Sequence, residues 1–264
     1  MTFDYDTEPK DTIHFCNLCG WGDFKPYANQ DRYGLLVHSV QCAGCGLVFL
    51  NPRMTAAAYR EFYRSGAYRE LLSEFYGRPV TAESIEAEQE VYAERLANVL
   101  EPHMDGRTAY HLLDAGGSTG VVAKKLARRF ELAGTVIEPS EAEARRAEAR
   151  GLTVFNGTLD DFVPNGLRYE LVTMCQTIDH VLDVGATLLK LKCLMSPGGL
   201  LFLDLVDYRV TEAKKGREGT IKVDHPFYLE PGTMAPYLSR AGLKVLWSAP
   251  SDDGLHVDYV CEAA

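Results

Sequence analysis

Residues 111–130 read "HLLDAGGSTGVVAKKLARRF": a short apolar run closing on Asp114, three glycines within a few positions, then an amphipathic stretch. That order describes a buried strand, a tight turn and a helix opening at about Thr119. The same texture recurs downstream. "YHLLDA", "GTVIE", "LTVFN", "YELVTMC" and "GLLFLDLV" alternate with helical stretches at 119–130, 140–150 and about 183–195. A helix at about 231–241 then leads to "KVLWSA" and "HVDYVCEA". Strands separated by helices of this length imply βαβ units around a parallel sheet covered on both faces. Only "PSDDG", a turn signal, lies between the last two strands, so they should form a hairpin and leave one strand antiparallel. The expected fold is α/β, with seven mostly parallel strands.

In an open sheet of this kind ligands sit outside the carboxyl ends of the strands. At the first strand end, Asp114, Gly116, Gly117 and Gly120 offer a carboxylate, close backbone approach and the free N–H groups of a helix start. The second strand ends at Glu138, placed to meet a ribose diol; it could equally serve the helix that "EPSEAEARR" opens. The third leads into "NGTLDDF", where Asp160 or Asp161 could accept from an exocyclic amine. The fourth ends at "MCQTIDH".

Four of the seven cysteines stand in two pairs, Cys16 with Cys19 and Cys42 with Cys45, with 22 residues between the pairs. Each C-x-x-C-G knuckle lets two thiolates face one ion, and two knuckles close a tetrahedral shell suited to structural Zn2+. Four thiolates leave no open position for catalysis. Residues 13–50 therefore read as a zinc ribbon joined by pieces such as "GLLVHSV" and "GLVFL". Cys175, Cys193 and Cys261 fall in apolar segments and read as small buried side chains. The expected division is a ribbon over 1–54, a helical linker or cap over 55–100, and a ligand-binding domain over 101–264. The aromatic residues of 55–78 (Tyr59, Phe62, Tyr63, Tyr68, Phe75, Tyr76 among them) are core or the wall of an acceptor pocket.

The chain of 264 residues is 46% apolar, 24% charged and carries a net charge of −10. Residues 1–50 hold six acidic side chains against three basic ones. This balance weighs against nucleic acid, whose affinity rests on phosphate neutralisation. No run is long and apolar enough to span a membrane, and the acidic N-terminus lacks the pattern of a secretory signal, so a cytoplasmic protein is expected.

Residues 82–264 resemble the class I S-adenosylmethionine-dependent methyltransferases. "LLDAGGSTG" is similar to their first motif, with Ser118 where a central glycine is usual; "VIEPS" is similar to the second, "GTLDDF" to the adenine-binding loop, and "LMSPGGLLFLD" to the entry into strand five. The resemblance implies S-adenosylmethionine held by Asp114, Gly116, Gly117, Gly120, Glu138, Leu159, Asp160, Cys175 and Gln176, with Asp114 suited to the methionine amino group. The module "CxxCG…CxxCGLVFLNPR" resembles that of a bacterial group that methylates sugars, which are nucleotide-linked or belong to surface polysaccharides and natural products. Related C-methyltransferases carry a further C-terminal domain beyond such a segment, so a hydroxyl acceptor is expected, on a small molecule or glycan with room for phosphate. An rRNA base methyltransferase and a non-enzymatic scaffold are the rival readings. A dinucleotide dehydrogenase fits less well, since its fingerprint is G-x-G-x-x-G and this turn reads G-G-S-T-G.

Methylating a hydroxyl needs a base. His225, in "IKVDHPFYLEP", is the first candidate and His180 the second, with Asp179 or Asp224 orienting an imidazole. "RVTEAKKGREGTIKVDH" (209–225) reads as a mobile lid whose Lys214, Lys215, Arg217 and Lys222 could meet acceptor phosphates.

Overall fold

Strands apolar on both faces need cover on both sides, and the computed structural model, which describes residues 3–108 and 110–263, supplies it. The chain begins with five short strands: β1 (Lys10–Asp11), β2 (Phe24–Ala28), β3 (Ser39–Cys42), β4 (Val48–Leu50) and β5 (Arg53–Met54). Three helices follow: α1 (Ala56–Arg64), α2 (Ala67–Tyr76) and α3 (Ala82–Met104). The remainder alternates: β6 (His111–Ala115), α4 (Val121–Arg129), β7 (Ala133–Glu138), α5 (Glu141–Ala149), β8 (Thr153–Asn156), β9 (Tyr169–Met174), α6 (Val184–Leu194), β10 (Met195–Val206), α7 (Tyr208–Thr220), β11 (Phe227–Tyr228), α8 (Pro231–Ala241), β12 (Leu243–Pro250) and β13 (His256–Ala263).

The main sheet has the order β12-β13-β10-β9-β6-β7-β8, with β13 antiparallel to both its neighbours and the other pairs parallel. The seven strands and the final hairpin are those expected from the sequence. Alternate residues feed opposite layers. Leu113, Val172 and Leu201 pack towards α6 and α8, while Leu112, Leu171 and Phe202 pack against Leu96 and Leu100 of α3 and Leu126 of α4. Thr55 caps α1 by accepting the Ala58 N–H, and a reciprocal Thr81–Ser84 capping box opens α3. No helix among the described residues is long and apolar enough to cross a membrane.

Three features depart from the sequence reading. The stretch 209–220 is the helix α7, kinked at Gly216, rather than a glycine-rich loop. Lys214, Lys215 and Arg217 lie on its exposed face, Arg217 paired with Glu212 at 3.0 Å. Cys193 is exposed on α6, because the helix turns that position away from the sheet, whereas Cys261 is buried as expected. The cysteine module is also not self-contained. Its sheet runs β11-β4-β3-β2, so β11 from the far end of the chain closes the edge of β4. Leu47 and Phe49 of the module share one core with α6 and α8.

Leu100 is fully buried between α3 and the sheet. Leu100→Ala is expected to cost about 2–5 kcal/mol of unfolding free energy, read as a lower urea midpoint with an unchanged slope.

Candidate functional site

A cavity of about 750 Å³ lies over the carboxyl ends of β6, β7 and β9 and beneath α1–α3. Its floor on one side is the turn after β6. Gly116 adopts φ 79°, and a Cβ there would stand 2.6 Å from the Thr177 side chain, so this position must stay bare. Gly120 (φ 77°) is equally constrained by Ala147 and Leu152 beneath the turn. Ser118, where the resemblance would put a glycine, holds φ 49° and offsets that strain with two hydrogen bonds. Its N–H donates to Glu138 Oε2 at 3.0 Å and its hydroxyl to Glu143 Oε2 at 2.6 Å.

Glu138 lines the cavity although it is only 7% exposed. It accepts a second N–H, from Ser140, at 2.7 Å. Burial, then the neighbouring charge of Glu143, raise its pKa to about 8. Leu159 and Asp160 line the same end. Asp161 is turned away, accepting from the Thr158 hydroxyl at 2.8 Å with Arg60 at 3.6 Å, so Asp160 is the acid left facing the cavity. Cys175 and Gln176 also line it. Gln176 has φ 49° and its N–H donates to Asp204 Oδ1 at 2.6 Å; Tyr92 donates to Oδ2 of the same buried carboxylate at 3.1 Å. Asp204, whose pKa burial raises to about 6, was missed; its only signal was an acid at the end of an otherwise apolar strand.

Asp114 departs from expectation. It accepts from Thr173 at 2.8 Å, lies beneath Gly117, and does not line the cavity. Burial lifts its pKa to about 6, and its Oδ2 has no partner. It therefore supports the turn rather than meeting a ligand's amino group directly. Gly117 and Gly120 likewise act by close packing under the turn.

The other side of the cavity is walled by Tyr33, Tyr63, Tyr68, His180, Lys222 and Asp224. The aromatic run after residue 55 thus divides: Phe62 is core, Tyr59 is core that also borders the cavity, and Tyr63, Tyr68 and Tyr76 line its wall. Tyr63 Oη lies 2.9 Å from His180 Nδ1 and 3.3 Å from the Asp224 carbonyl. A carbonyl can only accept, so when the hydroxyl donates to Asp224, the His180 tautomer that matches carries its proton on Nδ1, donates to Tyr63 and keeps Nε2 free to accept. Burial lowers the pKa of His180 and keeps the ring neutral.

His225, the first candidate from sequence, is set back. It packs edge-on against His180 with ring centroids 4.5 Å apart, does not line the cavity, and receives a hydrogen bond from Lys222 Nζ on Nε2 at 3.2 Å. Its lone pair is therefore taken. Asp224 Oδ2 lies 3.5 Å from His225 Nε2 and 3.9 Å from His180 Nδ1, and Tyr33 donates to its Oδ1 at 3.2 Å. Asp179 orients neither ring; it accepts the Val206 N–H at 3.1 Å, and burial raises its pKa to about 7. Although His180, Asp224 and His225 converge within 4.8 Å, the Lys222 ammonium on the same nitrogen opposes a metal cation there.

The four cysteines of the N-terminal module converge. The Cys16 and Cys45 sulfurs lie 3.5 Å apart, as do those of Cys19 and Cys42, and all four fall within 4.8 Å of one another. A zinc ion with bonds of about 2.3 Å in tetrahedral array needs sulfurs about 3.8 Å apart, which this cluster fits.

A family model described as a methyltransferase domain matches residues 60–248. Among curated proteins, the ubiquinone biosynthesis O-methyltransferase of Vibrio parahaemolyticus is 27% identical over 164 residues, 56% of this chain and 69% of that one. Its counterpart in Actinobacillus pleuropneumoniae is 25% identical over 122 residues, 41% of this chain; this chain spans only 50% of its length. Magnesium protoporphyrin IX methyltransferase from Synechocystis PCC 6803, solved with bound S-adenosylhomocysteine, shares the fold at TM-score 0.58 and 14% identity, covering 79% of this chain and 99% of that one. An O-methyltransferase family protein from Burkholderia thailandensis does so at TM-score 0.55 and 15% identity, covering 77% and 64%.

A diol ligand would donate to both oxygens of a charged Glu138 but only to the carbonyl oxygen of a protonated one. Affinity for S-adenosylhomocysteine is therefore expected to weaken as pH falls from about 8.5 to about 6.5, by up to about tenfold per unit. Glu138→Gln should bind weakly and flatten the dependence, as followed by titration calorimetry.

Proposed function

We propose that this chain, which belongs to the methyltransferase-domain family and uses S-adenosylmethionine, methylates a sugar hydroxyl. The carrying observation is His180 on the wall of the cavity that Glu138 also lines, with its Nδ1 2.9 Å from Tyr63 Oη, an arrangement that leaves Nε2 to accept a proton. Glu138 meets the ribose hydroxyls, Leu159 and Asp160 the adenine ring, and the 116–118 turn with Cys175 and Gln176 the remainder of the donor. S-adenosylmethionine supplies an electrophilic methyl carbon on a sulfonium.

The protein's own work is to hold an acceptor oxygen in line with that carbon and to accept its proton. His180 Nε2 takes the proton as the new bond forms, and Asp224, 3.9 Å from Nδ1, stabilises the imidazolium that results. Tyr63 fixes the ring's tautomer. Tyrosines such as Tyr33, Tyr63 and Tyr68 suit a sugar, whose C–H faces pack on aromatic rings while its hydroxyls find polar partners. Lys222 adds a cation for an acceptor bearing phosphate. The four cysteines belong to the same reading as a closed structural zinc site, with no part in the chemistry. Catalysis on a phenolic oxygen is the second reading, favoured by the O-methyltransferase relatives.

Incubation with labelled donor and a panel of nucleotide sugars, cell-wall glycans and catechols should label a sugar hydroxyl; label only in a catechol would reverse the order of the two readings. His180→Gln should lower turnover by about 100-fold or more with donor affinity retained, whereas His225→Gln should cost less. For the metal, elemental analysis is expected to find one zinc per chain, lost in Cys42→Ser together with thermal stability.

A further inference from the structure

The residues on the acceptor side need support from outside the main sheet. Lys222, Asp224 and His225 sit on a segment, 221–228, that connects α7 to β11 and belongs to no strand of that sheet. Its backbone groups are met by the N-terminal part of the chain. The Ile221 carbonyl accepts the Arg32 N–H at 2.9 Å and the Pro226 carbonyl accepts the Leu50 N–H at 3.0 Å. Tyr59 donates to the Val223 carbonyl at 2.8 Å, and Phe227 and Tyr228 pair with Phe49 and Val48.

One side chain ties the module's loop to this segment. Asp31 is 3% exposed, and its Oδ1 accepts the N–H groups of Tyr33 and Leu35, both at 2.9 Å, which shapes the loop over 31–35. Its Oδ2 accepts the Val223 N–H at 3.0 Å. Val223 lies between Lys222, which donates to His225, and Asp224, which faces both imidazoles. The same loop presents the Tyr33 hydroxyl to Asp224.

We infer that Asp31 is a positioning residue for methyl transfer: its carboxylate joins the cysteine module to segment 221–225 and thereby sets Lys222, Asp224 and His225 against His180. Its importance for turnover rests on the reading of His180 as the base, but the linkage itself does not depend on the acceptor. The module then has a task beyond its own stability, since it supplies half the frame of the acceptor wall.

Asp31→Asn separates the two roles of the carboxylate. An amide oxygen can still accept from Tyr33 and Leu35, but the amide NH2 then faces the Val223 N–H, donor against donor. Hydrogen exchange across residues 221–228 of the full-length chain should accelerate about tenfold, the cost of roughly one hydrogen bond. Exchange in the cysteine knuckles and affinity for S-adenosylhomocysteine should stay within about twofold of the parent. The ring-nitrogen NMR signals of His180 and His225, assigned with His180→Gln and His225→Gln, should shift while those of His14 and His38 stay put. Unchanged exchange and unchanged ring signals in Asp31→Asn would overturn the inference. If that variant loses its fold throughout, Tyr33→Phe decides. It removes only the hydroxyl bond to Asp224, and shifted His180 and His225 signals with an intact exchange map support the inference, whereas unmoved signals refute it. Neither outcome depends on turnover, so a wrong acceptor and a wrong linkage give different results.

Discussion

The turn after β6 must pass so close to the loop that follows β9 that no side chain fits at Gly116, where a Cβ would meet Thr177 at 2.6 Å. That approach decides what stands around it. Asp114 is pressed beneath the turn with one oxygen unpartnered, and the Ser118 N–H is directed at Glu138. Glu138 consequently ends β7 buried yet facing the cavity, with burial and Glu143 opposing its charge. A carboxylate held in this way gains most from a ligand that brings two hydroxyl donors, because such donors restore the solvation that burial removed. The donor side is thus tuned by packing of the turn as much as by the residues touching the ligand.

The acceptor side has another origin. Its polar groups come from the loop at 31–35, α1, the short helix ending at His180, and segment 221–228. None is a strand of the main sheet, so their mutual placement depends on hydrogen bonds across large sequence separations, such as Tyr33 to Asp224 and Tyr59 to Val223. Contacts of this kind close long loops and are entropically costly to assemble. The strand pairing of β11 with β4 and the shared core around Phe49 and Phe227 offset that cost by burying apolar surface along the same seam.

This difference explains what was legible in the sequence. Strands β6 to β10, β12 and β13 could be read because each is a local apolar run bounded by turn residues; Glu138 was singled out by its place at a strand end, Leu159 only through the resemblance, and the choice between Asp160 and Asp161 stayed open until the structure turned Asp161 towards Thr158 and Arg60. The cysteine cluster was legible from spacing alone. The depth of the two histidines was not: His225 stands in a polar segment expected to fold over the site, and the structure sets it behind His180, away from the cavity lining, with Lys222 on its Nε2. Asp31 carried no signal, since an acid before "RYG" reads as an ordinary turn residue. The stretch 209–220 looked like a loop because glycine and charge dominate it, but Asp207 caps it by accepting the N–H groups of Arg209 and Val210, and tertiary packing of Tyr208 and Thr211 outweighs its weak propensity.

The division into two sides also bears on how one fold serves different acceptors. The donor side is written into the continuous turn, strand and helix of residues 111–161, where a change of one side chain disturbs the packing of several. The acceptor side is assembled from separate pieces held by the cysteine module. Substitutions at Tyr33, Tyr63 or Tyr68 alter the wall without touching the turn, whereas any change that shifts the module moves Lys222, Asp224 and His225 together. On the proposed reading, exchange of these side chains would alter acceptor preference, while the geometry of proton transfer would stay tied to the module's attachment to segment 221–228.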